Sequence, residues 1–344
     1  MTSPRFALLL IGSLGVASGA CGGKTSLPSS TTEGDAQSSG DALAEDDAAC
    51  TAAASAQCQL EWKCSAFDAQ AKWTDQATCV ARTKALCLTS LAAPSTGATA
   101  ASVQACAVAR ASEACADFFA NDPPAACLPQ VGGLADGQPC AFDAQCASAS
   151  CRVAKGSACG TCGAPAKAGQ SCASYGCDRG LECVAATQLC QPPGAASAPC
   201  DDTGTPCAAG LSCVGATATR AGSCQTAGAS VGASCDPTGK TAPRCAAIDG
   251  LRCAAITRQC ASVALVAAGE PCGDLGHGKF ADCAAGGTCR IATGSLQGTC
   301  VAAAADGAAC DPTSGPDCAA PARCVGATST TCQLPSASAC PAGG

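Results

Sequence analysis

Residues 169–191 read GQSCASYGCDRGLECVAATQLCQ, and the reading of this stretch decides the fold. It holds four cysteines: Cys172, Cys177, Cys183 and Cys190. Leu181, Cys183, Ala185 and Thr187 alternate onto one face of a short strand, with Val184 on the other, and a turn returns the chain to Cys190. The spacing predicts a small β-hairpin pinned to the preceding polar loop by two disulfides. Which cysteine bonds which stays open, because four cysteines allow three pairings.

The same order recurs through residues 137–344, giving six units that start near residues 137, 169, 197, 232, 269 and 307. Their first cysteines are Cys140, Cys172, Cys200, Cys235, Cys272 and Cys310, separated by 32, 28, 35, 37 and 38 residues. Cys146, Cys151 and Cys159 follow in the first unit, and Cys207, Cys213 and Cys224 in the third. The fourth continues with Cys245, Cys253 and Cys260, the fifth with Cys283, Cys289 and Cys300, the sixth with Cys318, Cys324 and Cys332. Cys162 and Cys340 are left over. Threonine recurs four residues after the third cysteine, at Thr187, Thr217, Thr257, Thr293 and Thr328. Gly, Ala and Pro between the hairpins offer little to bury, so the sequence predicts an elongated array of weakly stacked units.

Residues 50–130 read as a small helical bundle. Ala48–Phe67, Thr74–Ala92 and Thr99–Ala120 are rich in strong helix formers. Thr74 before Asp75 reads as an N-cap, and Pro94, Gly97 and Asn121-Asp122-Pro123-Pro124 break the helices. Both tryptophans, Trp62 and Trp73, lie here with Phe67, Phe118 and Phe119, so this is where a true apolar core is expected. Eight cysteines staple it: Cys50, Cys58, Cys64, Cys79, Cys87, Cys106, Cys115 and Cys127. Cys79 and Cys87 are eight residues apart, about 80° on a helical wheel, and face one neighbouring helix. Cys106 and Cys115, nine apart and about 180° around, predict a helix bridged on two sides.

Gly137-Gln138-Pro139-Cys140 through Cys159-Gly160-Thr161-Cys162, then Gly169-Gln170-Ser171-Cys172 through Gly180-Leu181-Glu182-Cys183, resemble the Dickkopf N-terminal-like cysteine-rich repeats. Such repeats occur in many predicted lipoproteins of high-GC Gram-negative bacteria, and the Ala-rich eight-cysteine segment resembles their N-terminal part. The likeness covers most of residues 50–340. It implies architecture and assigns no activity; the Wnt antagonism of the animal proteins is not carried over.

Composition agrees with a small disulfide-rich class. Cysteine supplies 35 of 344 residues and aromatics only 3%, so covalent links must offset ordering entropy that a core this poor in large side chains cannot. Disulfides at this density need an oxidising compartment. Met1–Ala20 supplies the route: Arg5, the apolar run Phe6–Val16, then Ser18-Gly19-Ala20 before Cys21 make a signal peptide too short to span a bilayer. Two cleavage readings compete. Ordinary signal peptidase would leave a secreted or periplasmic protein. Alternatively the site resembles a lipobox, with Ser18 where Leu is usual, and Cys21 is acylated. Parity favours the second: removing Cys21 leaves 34 cysteines, an even number. Gly22 in place of Asp points to the outer membrane or cell surface. Residues 21–49 carry six acids against Lys24 and read as the lipidated N-terminus and a disordered acidic linker.

Catalytic equipment is sparse. His277, between Gly276 and Gly278, is the only histidine, so any Ser-His-Asp or Cys-His mechanism would have to use it. Cys159-Gly-Thr-Cys162 is the strongest metal-like or redox-like motif, and a single such pair reads better as structural disulfide. Asp201, Asp202, Asp236, Asp274 and Asp311 recur near first cysteines, where Asp236-Pro-Thr-Gly239 and Asp311-Pro-Thr-Ser314 read as Asx-type turns; calcium is the sharper alternative, with too few acids per loop. A net charge of −7 gives no footprint for nucleic acid. The expectation is therefore a non-enzymatic surface lipoprotein without cofactor, anchored in the bilayer through Cys21, serving as a spacer or as a scaffold for an unidentified protein or cell-surface partner. The alternative is a metal-binding or redox-active thiol protein of the cell envelope.

Overall fold

The computed structural model describes residues 35–340, apart from 174–175, 185, 202–205, 218, 312 and 327–329, with side chains from residue 41 onward. The signal segment, Cys21 and residues 22–34 lie outside the described residues, as do Ala185, Asp202 and Thr328. What is described is a cysteine-rich chain with a short N-terminal helical region and small, mostly antiparallel β-sheets.

Five helices come first: α1 (Asp35–Cys64), α2 (Ala66–Lys72), α3 (Gln76–Leu91), α4 (Ala100–Arg110) and α5 (Cys115–Phe119). α1 starts inside the stretch expected to be linker. Alanine carries the helix at little entropic cost, and its acids stay solvated or find partners, as Asp47 does with Lys84 of α3 at 2.7 Å. Ser65 ends α1 and caps α2, its Oγ accepting from the Asp68 N–H. The α3 cap is Asp75, not Thr74: its carboxylate accepts the Thr78 N–H at 2.6 Å, and a carboxylate at a helix start also complements the dipole.

Cys50–Cys87 and Cys58–Cys79 tie α1 to α3, so Cys79 and Cys87 face one neighbouring helix as expected, and that helix carries its two cysteines at the same eight-residue spacing. The reading of Cys106 and Cys115 as two sides of one helix is overturned. α4 stops at Arg110, and Cys115 opens α5, where it bonds Cys64, while Cys106 bonds Cys127. Ala49, Ala53, Ala100, Val103 and Ala107 pack around Cys50 and Cys87, small residues that let helix axes approach closely. A second cluster sets buried Trp73 against the Cys58–Cys79 bond.

In each repeat the first cysteine bonds the third and the second bonds the fourth. The pairs are Cys140–Cys151 with Cys146–Cys162, Cys172–Cys183 with Cys177–Cys190, and Cys200–Cys213 with Cys207–Cys224. Next come Cys235–Cys253 with Cys245–Cys260, Cys272–Cys289 with Cys283–Cys300, and Cys310–Cys324 with Cys318–Cys332. The third and fourth cysteines always face each other across the hairpin, as Cys183 faces Cys190. The second pairs in parallel with a residue six or seven positions before the first: Leu134, Ala166, Gly194, Gly228, Val266 or Ala304. Each unit therefore begins a few residues earlier than the cysteine pattern marks it.

The third residue before the first cysteine has left-handed backbone and donates its N–H to the carbonyl of the fourth cysteine in every repeat. Glycine fills this place at 137, 169, 232, 269 and 307; repeat 3 has Ser197 at φ 67°. A Cβ costs energy in that region, so Ser197→Gly is expected to stabilise repeat 3 by roughly 0.5–1 kcal/mol, less the added freedom of the unfolded chain. Slower exchange of the Cys224 amide, which bonds the Ala198 carbonyl, is the readout, and unchanged exchange would contradict it.

Two expectations fail in the repeats. Cys162, not Cys159, is the fourth cysteine of repeat 1. It faces Cys151 and bonds Cys146, while Cys159 crosses to Cys340, 181 residues away in sequence. Three residues along an extended chain span about 10 Å, too far for Cys159 and Cys162 to bond each other. The array is also not elongated: the Cα atoms of Cys159 and Cys340 lie 5.4 Å apart, joining the first repeat to the segment behind the sixth. Hydrophobic stacking was too weak to predict this. Polar backbone groups of the helical region help hold it, beside the apolar contact of Ala93 with Phe142: Ala285 and Gly286 donate N–H groups to the Gln70 and Ala71 carbonyls, and Gln145 Nε2 reaches the Pro94 carbonyl. Arg82 of α3 forms a fork with Asp306 and also bonds the Ala319 carbonyl.

Candidate functional site

The chemistry available to this chain is set first by its sulfur. All 34 cysteines from Cys50 onward are disulfide-bonded. Sulfur atoms do converge within 4.8 Å in the repeats, for example those of Cys235, Cys245 and Cys260, but each is already bonded to another sulfur. Metal binding and thiol nucleophilicity both require thiolate. Among the described residues none is present in this state.

The oddest sulfur pair is Cys159–Cys340. Cys159 sits half-exposed just before the second strand of the first hairpin, and Cys340 ends a short turn after the last hairpin. Cys340 is buried with Ala93, Ala141 and Phe142, so the bond covers the seam between the helices and repeat 1. Sequence reasoning took Cys340 as a leftover and Cys159 as the fourth cysteine of repeat 1, and did not pair them.

The recurring acids organise loops. Buried Asp236 accepts from Thr241 Oγ1 at 2.7 Å, Thr238 N at 2.9 Å, Thr238 Oγ1 at 2.8 Å, Thr241 N at 3.0 Å and Arg258 Nη1 at 2.8 Å. These donors hold its carboxyl well below the usual carboxylate range, the threonine hydroxyl of residue 241 first among them. Both oxygens are occupied, so a cation here would have to displace the loop's own donors. Asp311 repeats the arrangement with Ser314 and Thr313 and is likewise lowered. The Asx-turn reading of both loops agrees with these bonds. Asp274 accepts the Gly276 N–H at 2.9 Å. His277 is exposed at the tip of the turn that Gly276 and Gly278 flank.

Two buried carboxylates lie in the helical region, where the sequence marked no candidates. Glu61 accepts from Trp73 Nε1 at 2.7 Å, Gln57 Nε2 at 3.0 Å and Lys72 Nζ at 3.3 Å. Glu113 pairs with Arg110 at 3.1 Å. Each is paired with a cation, Lys72 for Glu61 and Arg110 for Glu113. An indole donor at a fixed offset from a buried acid is not visible in sequence, because the partners come from different helices. An open polar groove beside this region is lined by Ser112, Glu113, Asp117, Asp122 and Arg179.

Asp68 titrates unusually. Burial at the contact between α2 and repeat 4 raises its pKa to about 6, opposed by the Ser65 hydroxyl and aided by Asp249. Ser65 Oγ donates to the Ile248 carbonyl at the same contact, and a Cβ on Gly250 would run into the Phe67 ring. A raised carboxyl pKa means the folded state holds the proton more tightly, so its stabilisation is complete below pH 3.8 and fades as pH rises through about 6. Solvent screening of this half-exposed group holds the effect to about 1 kcal/mol. Thermal melts should therefore show Asp68→Asn more stable than wild type at neutral pH, with the gap closing by pH 4; a gap that stays constant with pH would contradict the assignment.

No known family model matches the chain, and no curated protein or solved structure matches it either.

Proposed function

We propose that the chain is an exported envelope lipoprotein, acylated on Cys21, whose helical bundle and six hairpin repeats form a cross-linked scaffold for display or partner binding rather than catalysis. The observation that supports it most is the sulfur count: 34 of the 35 cysteines pair among themselves, and the one left over stands directly behind a signal-like segment. Fixed cysteines with loops of differing length between them suit recognition, because a covalent frame tolerates change in its loops. The resemblance of residues 50–340 to Dickkopf N-terminal-like bacterial lipoproteins enters on the same footing, as a proposal about kinship and address.

Intact mass of the mature protein, before and after reduction, tests both halves. Lipid on Cys21 and a gain of two hydrogens for each bond reduced are the expected result. A mature chain with an unmodified Cys21, or one recovered in the soluble fraction, would remove the anchor. Many free thiols or bound zinc before reduction would favour the metal or redox reading instead.

A further inference from the structure

Lysine and arginine are distributed unevenly with respect to the cross-links. Of the 19 in the chain, 17 follow residue 50, once Arg5 and Lys24 are set aside. Residues 50–127 lie within overlapping loops closed by Cys50–Cys87, Cys64–Cys115 and Cys106–Cys127, and each repeat closes its own loops. Sixteen of the 17 basic residues fall inside one of these local loops. A backbone cut at any of them leaves both sides joined through sulfur. The linkers between repeats (163–171, 191–199, 225–234, 261–271 and 301–309) contain one basic residue in all, Lys167.

Lys167, Ala168, Gly169 and Gln170 are all exposed, in the turn that leads into repeat 2. The bond after Lys167 is thus the place where a protease specific for basic residues would divide a linear array in two. It lies between Cys159 and Cys340, and these two are bonded to each other.

We propose that Lys167–Ala168 is the site at which a trypsin-like protease opens the repeat array, and that the Cys159–Cys340 disulfide retains the severed part. Hydrolysis breaks the Lys167 C–N bond; water supplies a hydroxyl to the Lys167 carbonyl and a hydrogen to the Ala168 nitrogen. The disulfide takes no part in the step. Its role is topological, since one bond spans all five linkers. The inference rests on the disulfides and on exposed Lys167, and loss of the lipid anchor would leave it intact.

Brief digestion of the full chain with trypsin, followed by mass analysis under denaturing conditions, tests it. Without reductant the part from residue 50 onward is expected to stay one species, heavier by one water for each bond cut, with a new amino terminus at Ala168. With reductant it should separate at that terminus into a piece that ends at Lys167 and a piece that starts at Ala168. Lys167→Ala should abolish the new terminus, and Cys159→Ser with Cys340→Ser should let the two pieces separate without reductant. No cleavage after Lys167 overturns the site. Separation of the wild-type pieces without reductant overturns the retention, and this arm needs no variant to fold.

Discussion

Replacing Trp73 with alanine is expected to cost about 3–5 kcal/mol, the range for removing a buried large aromatic. The indole is 4% exposed, packs on the Cys58–Cys79 bond and donates to buried Glu61. In a chain whose core is mostly alanine and cystine, few other side chains bury 150–250 Å² each, so little can compensate. Trp73→Phe separates the two contributions. It keeps most of the packing but leaves Glu61 Oε2 without its 2.7 Å donor, which costs about 1–3 kcal/mol. The far-ultraviolet helix signal reports on this region, because the long helices among the described residues all precede residue 120. A denaturation midpoint of that signal unchanged in Trp73→Ala would show that the indole is not part of the core.

The second large effect concerns repeat 4. Its interior consists of Cys235, Cys245, Leu251 and Cys260, with Ala233 and Cys253 packed against them. Sulfur here is both cross-link and core. Cys245→Ala with Cys260→Ala opens a 15-residue loop, worth about 3 kcal/mol in chain entropy, and removes half of the buried cluster. A unit this small has no reserve to absorb that loss. The amides of Gly232 and Cys260, which bond the Cys260 and Ala233 carbonyls, should lose hydrogen-exchange protection, while the helix signal of α1–α4 persists. Retained protection in repeat 4 would mean that the hairpin stands on its hydrogen bonds, contrary to the argument.

The hairpins were legible because the alternation around the third cysteine is a local pattern, and local patterns survive in sequence. The pairing within each repeat was not, since all three connectivities place the same residues in the same order. The first repeat shows where spacing fails. From Cys151 the next cysteines are eight and eleven residues on, and other repeats use both distances, as Cys324 to Cys332 and Cys213 to Cys224 do. Only the strand register, which sets Cys162 opposite Cys151, decides between them. The closing contact to Cys340 is longer-ranged still, and nothing in the composition of the linkers marks it. The chemistry was partly legible: the Asp236 and Asp311 turns follow from Asp-Pro-Thr, whereas Glu61, Trp73 and Asp68 owe their character to partners on separate elements. The acidic stretch before residue 50 misled because its charge suggests solvation and its alanines support helix; both are true of α1.

The cross-links between α1 and the residues that follow also decide how the molecule carries load. A pull at the N-terminal end of α1 first unwinds residues 35–49, which lengthen by roughly 27 Å as rise per residue goes from about 1.5 to about 3.3 Å. At Cys50 the tension passes through sulfur to Cys87, runs along residues 88–106, and passes again to Cys127. Residues 51–86 and 107–126 are bypassed, and Trp73 with its buried acid lies in the first of these slack segments. The Trp73 cluster is thus spared any force applied along the chain, whereas Ala100 and Val103 lie on the loaded segment, and the first turns of one helix serve as its spring.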